Sequence, residues 1–259
     1  NNGSAIDAVT KCIKYLEDNE LFNAGKGSVT DEDNNFFLDS CITEGKKYNF
    51  GSNCSINNIK NPIELSRALM LDKSIMISGN DSSLYFSKKY NIETVNSSYF
   101  HSDYREKLSK INKDLGTVGA VAIDNEGNIC AGTSTGGRQN KIKGRIGDSP
   151  LVGISTIADN NYVGISCTGE GEEIIKNNTA SQILYRMKFN KENLNNSVEN
   201  TLKNIKGSCG IIGVDKDYNI YFESNTERMY VGYTKHNSKI YTHLWENKYY
   251  ECSTNTSIL

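Results

Sequence analysis

Two short apolar runs, Val118 to Ile123 and Ile129 to Ser134, flank the polar turn Asn125-Glu126-Gly127-Asn128. A glycine-containing turn between runs of this length predicts a β-hairpin. The runs consist mostly of small residues with no polar alternation, so neither face of the hairpin is left for water. A sheet buried on both faces needs a layer on each side, and 259 residues are enough for one large layered domain. Ile154 to Ile157 and Val163 to Thr168 repeat the same texture.

Helical spacing appears first in Ser4 to Leu16, where Ile6, Val9, Thr10, Ile13 and Leu16 form one face, Ser4 is the N-cap and Asp7 sits at capping-box distance. The glycine-rich turn 21–27 and a short strand from Phe36 to Cys41 follow. Asn61-Pro62 opens a second helix. Ser74 to Ser78 reads as a strand and Ser82 to Lys89 as a short helix. Tyr99 to Asp114 is polar and charged and is expected to be the most exposed stretch. Beyond the hairpin, Glu172 to Lys188 and Asn193 to Asn204 read as helices. Strands are expected near Gly210 to Val214, Ile220 to Glu223, Val231 to Thr234 and Ile240 to His243. Helices and hairpins fall in blocks, without strict βαβ alternation, which points to an antiparallel α+β fold. No linker divides the chain.

Charge narrows the function classes. Lys and Arg nearly cancel Asp and Glu, for a net charge of −2, so neither nucleic acid nor an anionic membrane has a polybasic surface to meet. Apolar stretches of about six residues are too short for a membrane span. With no secretory pattern at the start, the expected compartment is the cytoplasm. Seven cysteines, odd in number, scattered and never in a C-x-x-C pair, suit reduced thiols better than disulfides or zinc. Only His101, His236 and His243 exist, none at metal or triad spacing, so most imidazole chemistry is disfavoured.

Small polar residues and glycine concentrate in four segments: Gly116-Thr117, Thr133-Ser134-Thr135-Gly136-Gly137, Gly144-Arg145-Ile146-Gly147-Asp148-Ser149-Pro150 and Cys167-Thr168-Gly169-Glu170-Gly171-Glu172. Each borders an expected strand, where loops on a rigid sheet carry function. Gly132-Thr133-Ser134-Thr135-Gly136 also matches the G-x-S-x-G nucleophile elbow, but no helical spacing follows it and its base would have to be His236 or His243.

In this order the segments resemble the plant-type L-asparaginase and isoaspartyl peptidase family of N-terminal nucleophile hydrolases. Leu16-Glu17 through Ser28 and Asn225-Thr226-Glu227 before Met229-Tyr230 extend the likeness over most of the chain. The resemblance implies a four-layer αββα sandwich that cuts itself between Gly116 and Thr117 into an α part, 1–116, and a β part, 117–259. Two such units would form a dimer. A liberated Thr117 carries a hydroxyl and an α-amine of reference pKa about 7.7 to 8.0, so it supplies its own base without histidine. By the same resemblance Thr135 orients Thr117, and Thr168 with Gly169 forms the oxyanion hole. Arg145 and Asp148 take the carboxylate and ammonium of a small amino-acid substrate, L-asparagine or a β-aspartyl dipeptide. No cofactor is required. A structural sodium ion on the backbone carbonyls of Leu16, Glu17, Asn19, Phe22, Ala24 and Lys26 is implied, with the Lys26 ammonium turned outward.

Some positions depart from the family pattern. The first strand with its His-Gly-Gly segment does not precede Asn1, so the sequence is expected to lack N-terminal residues. Ser208-Cys209 stands where glycines are common, and Arg228 replaces a glycine; either would narrow the pocket. Glycosylasparaginase, a lysosomal activity, is the alternative reading, disfavoured by Gly136-Gly137; an inactive amino-acid-binding homologue is another, opposed by the intact Thr117, Thr135, Arg145, Asp148 and Thr168 set.

Overall fold

The structure is a computed structural model, and it describes residues 3–109, 116–226, 228–235, 239–246 and 251–252. Helix α1 (Ala5–Glu17) starts as its sequence predicts: Ser4 accepts from the Asp7 backbone N–H while its hydroxyl donates to the Asp7 carboxylate. A 3-10 turn at Gly25–Gly27 leads to β1 (Leu38–Glu44) and β2 (Asn49–Ile56). Next come α2 (Pro62–Leu69), β3 (Met76–Ser78), α3 (Asn80–Tyr90), a 3-10 turn at Ser97–Phe100 and α4 (Asp103–Ser109). The expected hairpin is β4 (Val118–Ile123) and β5 (Ile129–Thr135), followed by β6 (Thr156–Asp159) and β7 (Val163–Gly169). Helices α5 (Gly171–Asn177), α6 (Thr179–Phe189) and α7 (Leu194–Leu202) precede β8 (Cys209–Asp215), β9 (Ile220–Ser224), β10 (Arg228–Tyr233), β11 (Tyr241–Glu246) and β12 (Glu251–Cys252).

The strands form sheets ordered β3-β2-β1-β5-β4, β6-β7-β8-β9 and β10-β11-β12, antiparallel throughout except for β2 with β3. Alternation along the hairpin sets the layers. Val118, Ala120 and Cys130 face α1 with Val9 and Ile13, whereas Ile129, Ala131, Val121 and Ile123 pack with Ala158 and Val214 of the second sheet. Helices α6 and α7 close the far face of that sheet over Val163, Ile165, Cys167 and Ile211. The mixed helix and sheet content agrees with the expected α+β class.

Glycine sets how closely the layers approach. A Cβ on Gly132 would sit 2.7 Å from Ile13 Cδ1, and one on Gly119 would meet Ser166 Oγ at 2.2 Å. Side chains there would push α1 or the second sheet away.

The structure corrects two expectations and adds strand β2, which the sequence pattern does not predict. Strand β2 is not legible in Asn-Phe-Gly-Ser-Asn-Cys-Ser-Ile because its polar side chains look exposed, yet Asn53 is buried and donates to Ser40 Oγ, Ser66 Oγ and the Pro62 carbonyl. Partners from β1 and α2 offset the desolvation of its Nδ2 group. The helix expected from Glu172 to Lys188 breaks at Asn178, whose left-handed φ of 47° separates α5 from α6. The stretch expected to be most exposed is partly interior: Phe100, Ser102 and Arg105 are buried. Residues 110–114 of that stretch lie outside the described residues.

Helix α2 rests on β2 at Gly51, where a Cβ would lie 1.8 Å from the Ser66 carbonyl oxygen. Because the obstacle is backbone, Gly51→Ala is expected to destabilise by about 1–3 kcal/mol, read as a lower urea midpoint at unchanged m-value.

Candidate active site

Strands β4, β5 and β7 bring three of the expected residues together. The Thr117 hydroxyl, half-buried just before β4, donates to Thr135 Oγ1 at 3.0 Å across the hairpin register. Thr135 is buried and also accepts from the Gly137 backbone N–H at 2.9 Å. On β7, Thr168 Oγ1 lies 2.7 Å from the point a Cβ on Gly116 would occupy, so the Gly116-Thr117 peptide runs directly against Thr168. Gly169 has φ +139°, and its missing Cβ would stand 2.1 Å from the Ser208 carbonyl oxygen. Only glycine suits that place, and the Ser208-Cys209 backbone closes on it. Beneath these residues Thr133, Thr156 and Ser166 join hydroxyls across the gap between the sheets.

Arg145 and Asp148 converge on the start of α5. A Cβ on Gly171 would be 2.7 Å from Asp148 Oδ1 and 3.1 Å from Arg145 Nη2. The guanidinium does not pair with Asp148 in a surface salt bridge. Its Nε and Nη2 donate to the two carboxylate oxygens of Glu172 at 2.8 and 3.0 Å, which holds Glu172 at about 2. Asp148 is buried, its Oδ2 has no hydrogen-bond partner among the described residues, and burial pushes its carboxyl up to about 6 despite a bond from Ser155 and the nearby Arg145.

Strand β1 and the loop 16–27 complete the surroundings. Asp39, opposite Thr135 in the ladder, is buried; it accepts from the Ser55 and Gly147 backbone N–H groups, and burial raises its pKa against the pull of Lys141. Lys141 is also buried and donates to the Phe37 and Gly136 carbonyls. Of the loop carbonyls expected to face sodium, those of Leu16, Asn19 and Ala24 accept loop N–H bonds, Leu16 from both Asp18 and Asn19. The Glu17 and Phe22 carbonyl oxygens lie 2.2 and 2.1 Å from where Cβ atoms on Gly25 and Gly27 would sit. Lys26 belongs to the Gly25–Gly27 turn.

Comparison with known proteins gives the family. The profile described as "Asparaginase" matches residues 1–113 and 104–244. The chain belongs to the asparaginase family. It is 34% identical over 249 residues to the isoaspartyl peptidase of Escherichia coli K12, covering 88% of this chain and 78% of that protein. It is 38% identical over 239 residues to an isoaspartyl peptidase/L-asparaginase of Xenopus laevis (86% and 77%). It is 32% identical over 288 residues to a probable isoaspartyl peptidase/L-asparaginase 2 of Arabidopsis thaliana (95% and 87%).

In this asparaginase-family chain the G-x-S-x-G match carries no elbow. Ser134 points to the opposite face of β5 from Thr135 and donates to the buried Glu17 carboxylate at 2.6 Å, and no helix follows it. His243 stacks on Tyr233 and lies tilted against Phe222; His236 lies outside the described residues. Contrary to the spacing argument, His101 comes close to Asp103 and Glu106, all three exposed. Asn225 secures Ser208-Cys209, accepting from the Cys209 N–H at 2.6 Å, while Arg228 is exposed on β10 and Glu227 lies outside the described residues. Sequence reasoning missed Asp39, Lys141, Asn23 and Glu172 as parts of this site. Glycine neighbours marked the segments that hold Asn23, Lys141 and Glu172, but nothing local sets Asp39 apart from ordinary polar residues.

Asp148 carries a measurable cost. Its pKa in the folded state lies above the ordinary 3.8, so folding favours the protonated form. Stability from this group is full below 3.8 and is lost as pH rises through about 6. Asp148→Asn is therefore expected to stabilise the protein near neutral pH by about 1–3 kcal/mol and to have little effect in acid, measured as paired urea midpoints.

Proposed function

We propose that this chain is a self-processing amidohydrolase that hydrolyses the β-amide of L-asparagine and of β-aspartyl dipeptides, with Thr117 as nucleophile. The observation that carries this reading is the Thr117–Thr135 hydroxyl bond at 3.0 Å beside Gly116 and Thr168. The names of the relatives supply the substrate class. Helices α1 and α2, the two larger sheets and helices α6 and α7 support the finer reading of the fold as a four-layer αββα sandwich.

In the first step the Thr117 hydroxyl adds to the Gly116 carbonyl carbon, the C–N bond breaks to leave an ester, and water hydrolyses that ester. Thr117 is left with a free α-amine. In each turnover the amine takes the hydroxyl proton as Oγ1 attacks the substrate's β-carbonyl carbon. The developing oxyanion is received by the Thr168 hydroxyl and the Gly169 N–H, donors of a kind whose loss costs about 2.7–4 kcal/mol. Ammonia or an amine leaves with a proton, and water then releases aspartate from the acyl-enzyme.

Asp148, ionised above about 6, receives the substrate ammonium. Arg145, held on its Nε and Nη2 side by Glu172, meets the α-carboxylate. The loop 16–27 suits a structural sodium ion: its donors are carbonyl oxygens, the choice of a hard cation, and glycines 25 and 27 let the turn fold close against the Glu17 and Phe22 carbonyls. The Leu16, Glu17, Asn19, Phe22, Ala24 and Lys26 carbonyls would hold the ion, which would fix the loop and take no part in proton transfer. Cys12, Cys41, Cys54, Cys130, Cys167 and Cys209 are free thiols, which favours a reducing cytoplasm. Among the described residues no helix is long and apolar enough to cross a membrane. Assembly as a dimer of cleaved αβ units completes the proposal.

Intact mass and N-terminal sequencing test it. Scaled from 28.8 kDa, pieces of roughly 13 and 16 kDa are expected, the larger beginning Thr-Val-Gly-Ala. Thr117→Ala should remain whole and inactive toward L-asparagine and β-aspartyl dipeptides; an active Thr117→Ala protein sinks the assignment. In the cut enzyme kcat/KM should fall as pH drops through about 6, where Asp148 takes up its proton.

A further inference from the structure

Helix α4 lies just upstream of the proposed cut, yet it is fastened to the body. Ser102 Oγ, at its start, donates to Glu20 at 2.9 Å. The buried Arg105 spans the loop 21–27, donating from Nε to the Gly27 carbonyl at 2.7 Å and from Nη2 to the Leu21 carbonyl at 3.3 Å. Within that loop Asn23 is buried and makes three bonds of its own. Its Oδ1 accepts from the Val29 N–H at 3.0 Å, its Nδ2 donates to the Gly137 carbonyl at 2.7 Å, and its carbonyl accepts from the Gly136 N–H at 3.1 Å. Contact here leaves no slack, because a Cβ on Gly136 would lie 2.6 Å from Asn23 Oδ1 and from Ser28 Cβ. Gly137 in turn donates to Thr135 Oγ1, the atom that receives the Thr117 hydroxyl.

We infer that Arg105 is a positioning residue for the Thr117–Thr135 pair, acting through the loop 21–27, Asn23 and the Gly136-Gly137 backbone; the inference rests on the reaction proposed above. A forked guanidinium on two carbonyls fixes the two ends of the loop against each other, which a single point charge does not do. Asn23 passes that geometry to the backbone that aims Thr135. It follows that α4 stays in place after cleavage and continues to act in the mature enzyme. Arg105 touches neither the nucleophile nor the oxyanion donors, so its loss should alter the aim of Thr117 while leaving the Arg145 and Asp148 substrate grip intact.

The test measures self-cleavage rate by intact mass, and kcat and KM for L-asparagine, in Arg105→Met, Arg105→Lys, Asn23→Ala and the double variant Arg105→Met/Asn23→Ala. Arg105→Met should slow self-cleavage and lower kcat of the cut enzyme about 10- to 100-fold, the scale of an ångström-sized misplacement, with KM changed less than about 3-fold. Arg105→Lys should fall between Arg105→Met and the wild type. The double variant should be little worse than Asn23→Ala alone, since residues in one relay are not additive. Wild-type cleavage and kcat in Arg105→Met, a loss carried by KM, or multiplicative effects in the double variant would each overturn the relay. If Arg105→Met does not fold, Arg105→Lys and its double with Asn23→Ala decide by the same criteria. Thr117→Ala, run alongside, separates the two ideas: activity there defeats the proposed reaction, whereas an inactive Thr117→Ala beside a normal Arg105→Met defeats only the relay.

Discussion

Small residues where the two larger sheets face each other set the distance on which the site depends. Gly119 leaves room for Ser166, and Gly164 has no Cβ to meet Ile129, so β4 and β5 lie close over β7. At that separation Thr133, Thr156 and Ser166 satisfy one another between the sheets, and the next residues along the same faces are Thr135, Thr117 and Thr168. A larger side chain in the hydroxyl layer would separate β7 from the hairpin and take Thr168 away from the Gly116-Thr117 peptide. The groups proposed to react are thus an extension of the core packing.

Around that core the molecule keeps carboxyl groups where burial disfavours their charge. Glu17, Asp39 and Asp148 are all raised by desolvation, yet they do different work. Glu17 ties α1 to β5 through Ser134 and to α2 through the Ile63 N–H. Asp39 holds the Arg145–Asp148 loop to β1 through the Gly147 N–H. Asp148 has its Oδ1 beside Gly171, while its Oδ2 has no hydrogen-bond partner among the described residues. A carboxylate that is costly to the fold and keeps one oxygen without a partner is well prepared for a cation brought by a ligand, because binding then recovers what folding gave up. Arg145 is the complementary case, its direction set by Glu172 before any carboxylate arrives.

Much of the site was legible because its chemistry is local. Gly116-Thr117, Thr135, Arg145 with Asp148, and Thr168-Gly169 each stand in a short glycine-bearing segment next to a strand, and the structure sets them at the strand ends or on the loop facing α5. The supporting residues were not legible. Asp39 and Asn53 look like ordinary polar residues of an exposed strand, and Arg105 looks like one more charge in a charged stretch. Their burial follows from partners on other elements of the fold, Lys141 for Asp39, Ser66 for Asn53, Gly27 for Arg105. The Arg145–Glu172 fork escaped notice for the same reason.

The sequence by itself determined the layered α+β class, the hairpin at the centre, the capped first helix and the residue types able to do the chemistry, since periodicity, turn composition and glycine placement act over a few neighbours. Only the tertiary structure decided which hydroxyls meet, which carboxyls lose water and which backbone carbonyls a buried guanidinium holds. Those outcomes depend on sheet register and on layer spacing, and both are properties of segments far apart in the chain.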